Sequence, residues 1–234
     1  MIVLAAWTIQ ATTGFGSTVV ALTVGAPWTS IDAFVPVLAL LNLPLTAWTT
    51  LRHRQHVDRE VCLRLVLPWM SIGMVAGLAL ATQLSGPAFR RGFGAFVLSF
   101  ALWDLSRVAL NRPPTVVQRR ATLAPWIVLS GVMHGLYNSG GPALVQATSR
   151  LGMDRGAFRA TMSAIWLLFN LALNGYWLYT GRLNREVAVQ VLWLLPCVPL
   201  GVFLGEKLHP VLPERAFRAM VQVVLVIGGA ALLL

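Results

Sequence analysis

Two polar, glycine-rich stretches interrupt otherwise apolar runs of this chain. They are Gln10-Ala11-Thr12-Thr13-Gly14-Phe15-Gly16-Ser17-Thr18 and His134-Gly135-Leu136-Tyr137-Asn138-Ser139-Gly140-Gly141-Pro142. Glycine lowers helix propensity and proline removes a backbone donor, so a helix is expected to break within each stretch. A half-helix beginning after the break would aim free N–H groups and the positive end of its dipole into any cavity there, which favours an anion. Ser17, Thr18, Asn138 and Ser139 would add neutral donors without the desolvation cost of a buried ion pair. Gly16 and Gly141 would let the backbone come close. Gln10, Thr13, Gly14 and Gly140 complete the two stretches, and the Tyr137 hydroxyl could reach a cavity. The same glycines and small hydroxyls would also suit close helix packing, as small-xxx-small patterns do.

Further candidates lie nearby or within other apolar runs. His134 could donate to an anion or carry a coupled proton, since histidine titrates near neutrality; a hydrogen-bonded structural histidine is the alternative. Asn42 and Asn170 occupy matching positions in two apolar runs, where an amide could bind substrate or bridge helices. Asp104 is an acid within an apolar run, and its neighbour Arg107, three residues on, offers an ion pair. Arg159 could attract an anion or anchor to headgroups. Cys62 and Cys197 make no CxxC or Cys/His spacing, so a metal site, a disulfide framework and a cofactor are not indicated and packing is the expected role.

The elements that hold these residues must be membrane helices. Of the 234 residues, 57% are hydrophobic and only 11% charged, with a mean hydropathy of +0.72, against roughly a quarter charged in ordinary soluble domains. The net charge of +10 is scattered between apolar runs, as befits loops and helix ends near headgroups. No basic stripe with interleaved aromatics suggests nucleic-acid binding. The first basic residue is Arg52, so the opening apolar segment lacks the positive flank of a cleavable signal and reads as a first span.

Apolar runs predict an all-α bundle of about eight spans, near 2–26, 31–51, 61–84, 89–110, 122–149, 155–180, 187–208 and 214–234, each about the length that crosses a bilayer. Alternating β-barrel segments are absent. Trp28, Trp48, Trp126, Trp177 and Tyr179, near run ends, suit an interfacial belt. An internal repeat organises the runs: Pro68, Gly73, Gly77, Leu80, Leu84, Ala88, Phe89 and Arg90 recur without a gap as Pro196, Gly201, Gly205, Leu208, Leu212, Ala216, Phe217 and Arg218. Upstream, Asp58-Arg59-Glu60-Val61 parallels Asn184-Arg185-Glu186-Val187, each an Asx cap opening a helix. The expected organisation is therefore a first repeat over 1–110, a basic, proline-bearing loop over 111–121, and a second repeat over 122–234. Four spans per half imply parallel repeats; a hairpin within span 1 or 5 would change the count. Basic residues divide almost evenly between the two sets of loops, so orientation is not readable from charge.

Paired interruptions in duplicated halves are a signature of secondary transporters, with the substrate at the breaks. Gly14-Phe15-Gly16-Ser17, Ser139-Gly140-Gly141-Pro142 and Phe158-Arg159-Ala160-Thr161 resemble the TauE/SafE sulfite-exporter family over nearly the whole chain. The resemblance implies a multi-pass permease of the bacterial inner membrane that handles sulfite, sulfonates or related small anions, with both Gly-rich segments near the path. Phe15 and Ser17 depart from the family's commoner triple glycine, which leaves the exact substrate open; a coupled proton or other ion and a homo-oligomer are separate open expectations. Two rivals compete. A cation or metal permease would call for clustered carboxylates, His or Cys, whereas the acids here lie mostly at loops. An intramembrane serine hydrolase would use Ser139 with a histidine base, but Tyr137 stands where a rhomboid-type glycine would be, so no catalytic residue is assigned.

Overall fold

A computed structural model of the protein describes residues 1–13, 16–84, 86–109, 120–208 and 214–234, all of them helical or in short connections with no strand among the described residues. In chain order the α-helices are α1 (Ile2–Thr13), α2 (Ser17–Gly25), α3 (Ile31–Arg52), α4 (Leu67–Gln83), α5 (Gly86–Ala109), α6 (Ala124–Tyr137), α7 (Gly141–Thr148), α8 (Arg155–Tyr179), α9 (Arg185–Leu194), α10 (Cys197–Leu208) and α11 (Glu214–Ala231). Most of the 111–121 connection lies outside the described residues.

Among the described residues three helices are long and apolar enough to cross a membrane: Ile31–Arg52, Val61–Gln83 and Gly156–Tyr179. A fourth results if the bent pair Arg185–Leu194 and Cys197–Gly205 counts as one span. Large apolar side chains point outward, Val75 at 67% and Leu192 at 68% exposure among them, which in water would be an aggregating surface and in lipid is the expected one. Of the aromatics at run ends, Trp28, Trp48 and Tyr179 are exposed, as a belt requires. Trp177 is not: it is buried in the core. Trp126 packs edge-on against Trp103, with centroids 4.8 Å apart.

The Asx caps form. Val61 N–H donates to Asp58 Oδ1 at 3.0 Å, and Val187 N–H donates to Asn184 Oδ1 at 2.9 Å, each filling a donor the first helical turn would leave open. Asp154 caps α8 in the same way through Ala157 N–H at 2.9 Å. Downstream of the first two caps each repeat meets its shared proline, which lacks an N–H and crowds the preceding turn. The first proline, Pro68, is accommodated where Val61–Val66 widens into a π-helical turn that runs into α4. At the second the chain breaks at Leu195-Pro196 and bends by 41° between α9 and α10.

The helices pack in an exchanged pattern. α1 lies against α10 and α6 against α4, so helices that precede the 111–121 connection pack on helices that follow it; α3 pairs with α8 and α5 with α11 in the same way. Small residues make these contacts close. A Cβ on Gly73 would sit 2.1 Å from Val128 O, and one on Gly131 would sit 2.2 Å from Met70 O. Gly77 and Gly135, one turn on, are equally tight, so two small-xxx-small rows face each other backbone to backbone. Gly201 makes the corresponding contact with α1, where a Cβ would come within 2.9 Å of Leu4 O.

The pairing of Asp104 with Arg107 does not describe where these side chains bond. Asp104 Oδ2 accepts from Gln222 Nε2 at 2.8 Å, tying α5 to α11, while Arg107 Nη1 donates to Gln146 Oε1 at 2.8 Å on α7. Each has a neutral partner on a neighbouring helix, which a side chain on a packed bundle reaches as easily as its own helix.

Candidate functional site

Both glycine-rich stretches are breaks. α1 gives way to α2 through Gly16, whose φ of 98° is a conformation that favours glycine. α6 ends at Asn138, whose φ of 52° makes it the left-handed cap that turns the chain; its N–H still reaches His134 O at 2.8 Å. Asparagine tolerates this conformation better than other side-chain-bearing residues. α7 then starts at Gly141, after Gly140. Gly16 stands immediately before α2 and Gly140 immediately before α7.

One small cavity, ≈ 30 Å³ for the centres of water-sized molecules, lies where the breaks meet. From the first half it is lined by Gln10, Gly16, Thr18, Val19, Asn42 and Thr46, and from the second by His134, Asn138, Ser139, Gly141, Trp166 and Asn170. Among the described residues no Asp, Glu, Lys or Arg lines it. Its polarity therefore comes from neutral groups and from the N-terminal ends of α2 and α7.

On the first-half wall, Ser17 Oγ bonds to Gln10 Oε1 and Ser17 N–H donates to the same oxygen at 3.3 Å. Ser17 Oγ also lies 3.3 Å from Asn42 Oδ1, and Asn42 Nδ2 donates to Thr18 Oγ1 at 3.0 Å. Asn42 thus bridges α3 to α2 and also lines the cavity. On the second-half wall His134 is 1% exposed, stacked on Trp166 with centroids 5.8 Å apart and edge-on to Phe169 at 6.0 Å. The Phe169 backbone lies close by but completes no hydrogen bond, and neither ring nitrogen has a partner among the described residues. Both amide atoms of Asn138, which is 5% exposed, and Asn170 Oδ1 are likewise buried and unpartnered.

Several sequence candidates are placed differently. Tyr137 does not reach the cavity: its hydroxyl donates to Phe89 O at 2.9 Å and its ring packs between Phe89 and Phe93 on α5. It sits next to the break, but its ring lies against Phe89 and Phe93 and carries the hydroxyl toward α5. Gly140 packs rather than lines. A Cβ there would lie 2.4 Å from Ser130 O, and Ser130 Oγ donates to Gly140 O at 2.8 Å, which pins the break to α6. Ser139 Oγ donates to Tyr137 O at 3.0 Å rather than to a histidine. Gly14 and the side chain of Thr13 lie outside the described residues.

Val19, Thr46 and Trp166 line the cavity although the sequence reading passed over them. Helical spacing carried a signal for two of them: Thr46 follows Asn42 and Trp166 precedes Asn170 by four residues, hence on the same face. The halves even repeat a detail here, since Thr46 Oγ1 donates to Asn42 O at 2.8 Å and Asn174 Nδ2 to Asn170 O at 2.8 Å.

The family model for the sulfite exporter TauE/SafE matches residues 1–232, essentially the whole chain. The chain belongs to the TauE/SafE sulfite exporter family. No curated protein and no solved structure matches it. Membership makes it an integral membrane protein of a transporter family whose substrates are sulfite-type anions. Among the described residues no three of His, Cys, Asp and Glu come together as a metal site would require.

Proposed function

We propose that this TauE/SafE member is a secondary transporter of the bacterial inner membrane that moves sulfite, an organosulfonate or a similar small anion by alternating access. It would cross the membrane eight times as two four-span repeats, with the anion held between the breaks at Gly16 and Asn138–Gly140. The observation that carries the reading is the convergence of two half-helix N-termini on one cavity lined from both halves and, among the described residues, by no charged side chain. Helix N-termini and neutral donors favour an anion, and corresponding breaks in two halves are where transporters place substrate. The exchanged packing supports a mechanism in which each opening helix travels with the opposite half's third span, so that rocking opens the cavity to alternate sides.

Calorimetric titration of the purified protein tests the reading. Sulfite and methanesulfonate should bind saturably, and Asn138→Gly, which keeps the left-handed turn but removes the amide, should weaken both. Saturable binding of divalent cations with none of either anion would replace the reading with a cation permease.

A further inference from the structure

The two walls of the cavity differ in what they leave open. Gln10, Ser17, Asn42 and Thr18 bond one another. Opposite them, both ring nitrogens of His134, both amide atoms of Asn138, Trp166 Nε1 and Asn170 Oδ1 are buried without a partner among the described residues. Buried polar atoms are nearly always hydrogen-bonded, and a cluster of exceptions on one wall marks where a bound molecule supplies the missing partners. The first-half wall shapes the site, and the second-half wall does the recognising.

The open wall is mixed in kind. A neutral imidazole offers one donor and one acceptor in either tautomer, and the Asn138 amide offers both whichever way it is turned. Trp166 only donates, and Asn170 Oδ1 only accepts. A fully deprotonated oxyanion can only accept, so it would leave the acceptors facing its lone pairs. A hydrogen-oxyanion matches the set, because its bare oxygens take the donors and its O–H meets an acceptor. Charge points the same way. With no cationic side chain among the described residues of the lining, a second negative charge has no counter-ion there, and the cost of burying an ion grows with the square of its charge, about fourfold for a dianion.

We propose that the cavity selects the singly charged, protonated form of the sulfur oxyanion, hydrogensulfite, over the sulfite dianion. This rests on the anion-transport reading above. His134 is the one titratable side chain among the lining residues. The helices packed around α6 add little: α4 and α7 carry no titratable residue, and those of α3 and α8 (Asp32, Arg52, Arg155, Arg159, Tyr176 and Tyr179) lie toward the helix ends.

The test is exchange of radiolabelled sulfite in proteoliposomes of the full chain, with equal pH on both sides, across the second ionisation of sulfite. Above that ionisation the half-saturating concentration of total sulfite should rise about tenfold per pH unit, remaining constant when expressed as hydrogensulfite. The inhibition constant of methanesulfonate, a monoanion throughout with no O–H, should be larger than the half-saturating hydrogensulfite concentration and should not change with pH. A half-saturating concentration that stays level or falls with pH overturns the proposal while leaving anion transport in place. Parallel weakening of methanesulfonate also overturns it, by locating the titration on His134 instead of the substrate. Absence of exchange at every pH removes the anion-transport reading itself.

Discussion

Asn138 carries two roles that substitution separates. Its backbone makes the left-handed turn ending α6, and its amide presents two unpartnered atoms on the cavity wall. Glycine adopts the same turn without strain, so Asn138→Gly should fold normally and raise the KM for sulfite by about 10- to 100-fold, the loss of one hydrogen bond to a charged partner. Tyr137→Phe makes the opposite prediction. It deletes the bond to Phe89 O and should lower thermal stability by about 1 kcal/mol with flux unchanged, measured by melting and uptake on the same preparation. Residue types were legible at this scale, because glycine, asparagine and hydroxyls in an apolar run have few uses other than breaks, caps and polar sites. Direction was not. Tyr137 and Asn138 are adjacent in sequence, yet one hydroxyl turns to α5 and the next amide to the cavity, which is settled by packing that a linear reading does not contain.

At the scale of elements, the glycines that fix the helix pairs are those of the α4–α6 contact. Gly131→Leu would drive a side chain into Met70 O, where even a Cβ would be 2.2 Å away. Overpacking of this kind costs about 1–3 kcal/mol, and here backbone must move, so most of the monodisperse protein should be lost on size exclusion. Asn184→Ala, by contrast, removes only the cap donated to by Val187 N–H. It should destabilise the start of α9 by about 1 kcal/mol, seen as faster amide exchange confined to its first turn. The breaks and caps were readable from local chemistry. The fate of the shared proline was not: Pro68 and Pro196 have the same local problem, but one repeat relieves it with a π-turn and the other with a 41° bend. Both outcomes release the same crowding, and the neighbours choose between them.

At the scale of the molecule, the repeat was legible because Gly73 and Gly77 recur with their proline as Gly201, Gly205 and Pro196. What repetition could not tell is which faces meet. The structure puts α1 on α10 and α6 on α4, so helices from before the 111–121 connection find their main partners after it. Residues 1–110 and 122–234 expressed as separate chains should therefore be degraded when alone and should co-purify when made together. Independent stability of either half would contradict the exchanged packing as the basis of folding. The two-half cavity has the same origin, since exchange is what brings both breaks to one place.

The central claim is that a sulfur oxyanion passes between these breaks, and flux of radiolabelled sulfite into proteoliposomes, wild type beside Asn138→Gly, tests it most directly. The account predicts saturable, protein-dependent uptake in the wild type and a raised KM in a variant that remains folded. Equal uptake by the two proteins would contradict the placement of the anion, and no protein-dependent uptake by either would contradict the transport of sulfite altogether.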